Sequence, residues 1–268
     1  MKRNSKKWLG VVVILFALFF AVWAYPLVSV LAPSSTHLEV TSDLDAVTAG
    51  APVDLRFHVV DKAGVVVKEF EIAHEKLLHL VLVRNDLQGF QHVHPELNAE
   101  TGEFSLMVTF PEAGTYTLFA DFVPQHEDRE VLSFPATVNG EYSAVPLENS
   151  SGEAIAVGGF MVTPTFPTSI MMGDPVAYSF EVTRDGEPVS LESYLGALGH
   201  SAVLHEGDLA YIHTHADAET LSFQTVFEQT GTYKAFTEFQ VEGVVYEVDF
   251  VFEVGSGEGS ASMDMSNH

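Results

Sequence analysis

Cysteine is absent from the 268 residues. Disulfides and thiolate metal sites are therefore excluded, and any metal must be held by imidazole, carboxylate or thioether. Basic residues are scarce: 12 Lys and Arg stand against 37 Asp and Glu, for a net charge of −25. Lys2, Arg3, Lys6 and Lys7 precede every acid in the chain, which leaves 8 bases against the 37 acids beyond them, or −29. Such a surface repels nucleic acid and anionic lipid and gathers cations, and it equally suits solubility in a salty medium. Beyond residue 33 no stretch spaces its apolar residues as an amphipathic helix does.

The one long apolar run is Trp8–Ala32, behind the basic MKRNSKK and interrupted only by Pro26 and Ser29. A bilayer-spanning helix needs about 20 such residues, whereas the core of a cleavable signal has about 7 to 15. Residues 1–33 are accordingly read as a single-pass anchor in the cell membrane, with the basic end in the cytoplasm and the rest extracytoplasmic. The VWA at 22–24 keeps open a cleaved signal, which would leave a secreted or periplasmic product.

Beyond the apolar run the chain reads as one unit written twice. AGAPVDLRFHVVDKAG (49–64) answers MGDPVAYSFEVTRDG (172–186), and FPEAGTYTLFADF (110–122) answers FEQTGTYKAFTEF (227–239). Self-similarity over this length points to duplicated domains of about 100 residues. Within each, apolar and polar residues alternate between DKAG, RDG, AGT and QTGT turns, which predicts all-β, antiparallel sandwiches. The expected division is 34–140 for the first sandwich, 141–153 for a polar linker, 154–254 for the second and 255–268 for a Gly/Ser-rich disordered tail.

Histidine is where the two units agree most closely. LHLVLVRNDLQGFQHVHPE carries His79, His92 and His94; GHSAVLHEGDLAYIHTHAD carries His200, His213 and His215. Both read His-x12-His-x-His, with an acid two positions on, Glu96 and Asp217. Residues two apart share a strand face, so each HxH points one way. Tight turns at Asn85-Asp86 and Glu206-Gly207 would set His79 across from His92 and His200 across from His213, close enough for three rings to meet one ion. Three neutral imidazoles suit Cu²⁺ or Zn²⁺, with Glu96 or Asp217 filling or supporting a fourth position. Asp121 and Glu238, the matched acids of FADF and FTEF, are weaker candidates. His74 has Leu195 as its counterpart, so the two sites need not be alike. His58, His126, His205, His37 and His268 read as solvent-facing, and Met263, Met265 and His268 of the tail as a lesser, copper-handing alternative.

AHEKLLHLVLVRNDLQGFQHVHPE and YLGALGHSAVLHEGDLAYIHTH resemble motifs of poorly characterised bacterial exported proteins associated with heavy metals, copper among them. The resemblance covers most of both units. The family's second HxH is commonly followed by Pro; here Pro95 follows the first and Ala216 the second. It implies Ig-like or cupredoxin-like sandwiches and favours copper over zinc. The function expected is thus envelope metal binding, with two ions per chain buffered, scavenged or relayed to a transport partner. A His-metal enzyme, hydrolytic on zinc or redox on copper, and a metal-free adhesive module are the alternatives. No second acid/base or nucleophile set supports the enzyme.

Overall fold

A computed structural model describes residues 34–45 and 47–256. The anchor expected over 1–33 and nearly all of the tail expected over 255–268 lie outside the described residues. Among those residues no helix is long and apolar enough to cross a membrane.

The first repeat is built from β1 (Thr36–Val40), β2 (Val47–Thr48), β3 (Pro52–Asp61), β4 (Leu78–Arg84), β5 (Gln91–Val93), β6 (Glu96–Asn98), β7 (Glu103–Thr109), β8 (Gly114–Phe122) and β9 (Glu130–Asn139). They form two sheets, β1-β3-β7-β6 and β2-β9-β8-β4-β5. The second repeat holds β10 (Ile155–Val157), β11 (Phe160–Thr165), β12 (Pro175–Arg184), β13 (Glu187–Pro188), β14 (Gly199–His205), β15 (Tyr211–His215), β16 (Ser222–Val226), β17 (Gly231–Val241) and β18 (Val244–Val254). Its sheets are β10-β11-β12-β13, with β16 also on β12, and β15-β14-β17-β18. The architecture is all-β, and every strand pairing is antiparallel except the short β2–β9 contact.

Each repeat is a sandwich around its own core. Leu55, Phe57 and Phe104 of one sheet meet Leu80, Leu82, Leu118 and Phe134 of the other in repeat 1. Tyr178, Phe180 and Phe223 meet Val203, Phe239 and Phe250 in repeat 2. A third apolar cluster lies between the repeats and joins Val81, Val83, Leu87 and Phe119 to Ala202, Leu204, Leu209 and Phe236. The sheets bearing β4 and β14 thus pack against each other through their outer faces, and strands in the middle of such a stack are covered twice. Every residue of β4 is buried. This explains its unbroken LHLVLVR, since alternation is expected only where one face meets water: Leu78, Leu80 and Leu82 serve the core of repeat 1, while His79, Val81 and Val83 face repeat 2.

The inter-repeat face is self-complementary. Phe90 stacks on Phe236 at 4.3 Å, and its sequence counterpart Tyr211 stacks on Phe119, the counterpart of Phe236, at 4.8 Å. Each repeat therefore presents the same patch and receives the other's, as in a two-fold interface.

The hairpin turns differ from those expected. Val81 lies opposite His92 and Leu80 opposite Val93, while His200 lies opposite His215. The register is displaced by two from the expected one. The reason is a wider loop in both copies, closed by Arg84 N–H to Gln88 O at 2.9 Å and by His205 N–H to Ala210 O at 3.1 Å. It accommodates Leu87 and Leu209 at positive φ, 58° and 57°, with both side chains buried between the repeats. A slip of two preserves the face on which each side chain stands, so the histidines still point together.

Candidate metal centre

Because His79 and His200 stand on the outer faces of β4 and β14, the packing of repeat on repeat brings them into one place. The two constellations expected as separate sites form a single cluster between the repeats. Ring centroids lie 5.4 Å apart for His79–His213 and for His92–His213, and 6.3 Å for His79–His200. Ligand atoms come within 4.8 Å of one another in two sets of three: His79, His92 and His213, which spans the repeats, and His200, His213 and His215, which does not. His94 joins through Nε2, 3.2 Å from His79 Nδ1. His74 stacks on His215 at 3.5 Å between centroids, on the exposed side of the cluster.

The first ring of each triplet is held from behind by the same device in both copies. His79 Nε2–H donates to Ala73 O at 3.0 Å and His200 Nε2–H to Tyr194 O at 2.9 Å. Those carbonyls precede two-residue turns, His74-Glu75 and Leu195-Gly196, in which every φ is positive, 48° and 66°, 52° and 76°. Such turns match the twist of tight hairpins. The carboxylates are exchanged across the interface. His213 Nδ1 of repeat 2 meets Asp121 of repeat 1 at 2.9 Å, and His92 Nδ1 of repeat 1 meets Glu238 of repeat 2 at 2.6 Å. A carboxylate behind an imidazole fixes its tautomer and strengthens the opposite nitrogen as a donor to a metal.

Asp121 and Glu238, each directly across the sheet from His79 and His200, are therefore the acids of the site. Glu96 and Asp217 are not. Both are exposed, and Asp217 spends its oxygens on the Glu219 and Thr220 turn. Arg129, not among the residues expected from the sequence, forms a bidentate ion pair with Asp121. Its only sequence signal is that an acid buried in FADF demands a base. Of the histidines read as solvent-facing, His205 instead bonds Asp208 and Thr230 O.

Burial sets the charge states. It pushes His79 and His200 down to about 3, His92 to about 4 and His94 to about 2, and it lowers His213 and His215 as well. His79, His92, His94 and His200 are thus neutral well below the value near 6.5 of a solvated histidine. The Arg129 guanidinium, with His213, outweighs burial at Asp121 and holds its carboxyl below the usual range. Among the described residues Glu238 has no such base, and burial raises it to about 7.

Two buried ring nitrogens, His200 Nδ1 and His215 Nε2, have no hydrogen-bond partner. Buried polar atoms are nearly always paired. His213 completes a set of three converging rings, and with its Nδ1–H directed at Asp121 its Nε2 is the nitrogen left to donate. In the other copy the donors already meet, with His79 Nδ1 3.0 Å from His92 Nε2. Two imidazole nitrogens on one tetrahedral ion with bonds of about 2.0 Å lie about 3.3 Å apart. The donor set and spacing fit a divalent ion that accepts imidazole.

No curated protein matches the sequence. Among solved structures, an α2-macroglobulin of Salmonella aligns at 12% identity and TM-score 0.28, over 81% of this chain and 15% of that one. A putative membrane-anchored protein of Corynebacterium diphtheriae aligns at 12% and 0.27, over 84% and 60%. An Escherichia coli adhesin aligns at 15% and 0.28, over 84% and 66%. The chain thus spans only a small part of the macroglobulin's length. Residues 34–140 and 155–256 each match the model of the domain of unknown function DUF8832, and the chain belongs to that family.

Proposed function

We propose that the protein is an extracytoplasmic metal-binding protein, for copper before zinc, that holds its ion between two Ig-like or cupredoxin-like sandwiches. Residues 1–33 tether it to the cell membrane, where it buffers or relays the ion to an envelope transport partner. The observation that carries this reading is the pair of buried, unpartnered nitrogens of His200 and His215, on two rings that converge with His213 as a set of three. Neutral imidazoles are the protonation state a metal requires. A donor set of imidazole without thiolate suits both Cu²⁺ and Zn²⁺, and affinity at a given nitrogen site runs higher for copper. The resemblance of the motifs to copper-associated exported proteins points the same way.

Burial favours holding over catalysis. A catalytic ion keeps one position open to substrate, whereas the side chains of His92 and His213 are 2% exposed. The reading is tested on the detergent-solubilised full chain, loaded with Cu²⁺ or Zn²⁺, dialysed and analysed for metal. Copper should remain and should be withdrawn by a strong chelator. A dialysed protein that retains neither metal would refute the proposal.

A further inference from the structure

We infer that the cluster is a single site for one ion, with two alternative positions that pivot on His213. This rests on the metal-binding reading of the cluster. His213 belongs to both sets of converging donors, His79–His92–His213 and His200–His213–His215. An imidazole offers one lone pair at each nitrogen that lacks a proton. The Nδ1 of His213 is committed to Asp121 at 2.9 Å, so only Nε2 is left, and it can serve one ion at a time. A ring bridging two ions would have to surrender that contact.

Charge leads to the same count. Asp121 is already neutralised by Arg129. The other carboxylate that touches the rings is Glu238, so one negative charge at most is left to offset the ion. Two dications would face each other across rings 5.4 Å apart with no second uncompensated acid among the groups that touch those rings. Like charges at such a distance in a dry interior repel strongly. Moving one ion between the positions exchanges His79 and His92 for His200 and His215 while His213 stays bound. The second position lies next to His74, which stacks on His215 and is exposed. The cluster therefore has an inner position that spans the repeats and an outer one beside the solvent-facing ring.

Calorimetric titration of the solubilised full chain with Cu²⁺, checked by metal analysis after gel filtration, tests this. Wild type should bind one equivalent. The pair variants His79→Gln/His92→Gln and His200→Gln/His215→Gln should each still bind one, through the remaining set, and His213→Gln should lose stoichiometric binding. Two equivalents in wild type, falling to one in each pair variant, would overturn the shared site and leave the metal-binding reading intact. One equivalent that survives His213→Gln, or that disappears in one pair variant only, would also overturn the pivot. If His213→Gln does not fold, as judged by its circular dichroism, the wild type and the pair variants decide alone. Absence of binding in wild type is the separate failure of the metal reading itself.

Discussion

Acidifying the metal-free protein from pH 7 to pH 5 should destabilise it, with a size set by the buried rings. An imidazole whose pKa is lower folded than unfolded takes up its proton more readily in the unfolded chain. Falling pH then favours unfolding throughout the window between the two values. For His79 and His200 that window runs from 6.5 down to about 3, and for His92 from 6.5 to about 4. His94, lowered to about 2, adds a fourth. At pH 5 each of the four contributes a loss of about 2 kcal/mol relative to pH 7. Glu238 works in the opposite direction. Raised from 4.5 to about 7, it is protonated more readily in the folded protein, so the same acidification returns about 2 kcal/mol. Asp121, held below the usual carboxylate range, does not titrate between pH 5 and 7. The net loss from these groups is about 6 kcal/mol, and for a chain of this size about 2 to 4 °C accompany each kcal/mol, so the unfolding temperature should fall by roughly 10 to 20 °C. Scanning calorimetry of the chelator-treated full chain at the two pH values measures it, with His79→Gln and His200→Gln each flattening the dependence. An unfolding temperature that is unchanged or higher at pH 5 would refute the argument. The same low pKa values revise the simple expectation that the ligands themselves compete for protons near 6.5. In the intact fold burial displaces that competition to lower pH.

Three further outcomes are expected. Phe236→Ala removes a ring that is 2% exposed and stacked on Phe90; it should cost about 3 to 5 kcal/mol and split thermal unfolding into two transitions, whereas a single unshifted transition counts against the inter-repeat packing. Asp121→Asn should weaken copper binding by about 10- to 100-fold by releasing His213 from its fixed orientation. Glu96→Gln and Asp217→Asn should leave affinity unchanged, and equal effects from all three in a chelator competition would show that the acids act only through net charge. The full chain expressed in a bacterium should stay with the membrane pellet through a carbonate wash; a soluble product beginning near Tyr25 would show a cleaved signal instead.

The strand faces of the histidines could be read from the sequence because alternation depends only on parity, and a register slip of two leaves parity untouched. His79, His92 and His94 share a face under either turn. The turn itself was not legible. Leu87 and Leu209 look like ordinary strand residues, and only the apolar pocket between the repeats explains why they sit at positive φ in a loop. Nor was the merging of the two constellations legible, because a duplicated sequence says that two units are alike and nothing of how they pack. Its trace is present in LHLVLVR, a run without polar alternation that a strand with one wet face would not carry. Asp121 and Glu238 stand out in the sequence as matched acids yet rank there below Glu96 and Asp217, since proximity along the chain is easier to see than adjacency across a sheet.

The reciprocal exchange of side chains, His92 to Glu238 and His213 to Asp121, Phe90 on Phe236 and Tyr211 on Phe119, has a consequence for the ancestry of the chain. A patch that fits its own copy is the kind of surface through which a single sandwich would pair with itself, and two copies so paired would bring the same two triplets of histidine together. In such a dimer every substitution would be made twice, once on each side of the dyad. With both repeats in one chain, each side can change without the other. Arg129 on one acid and none on its partner, and His74 where the other turn has Leu195, are differences that no symmetric dimer could have carried.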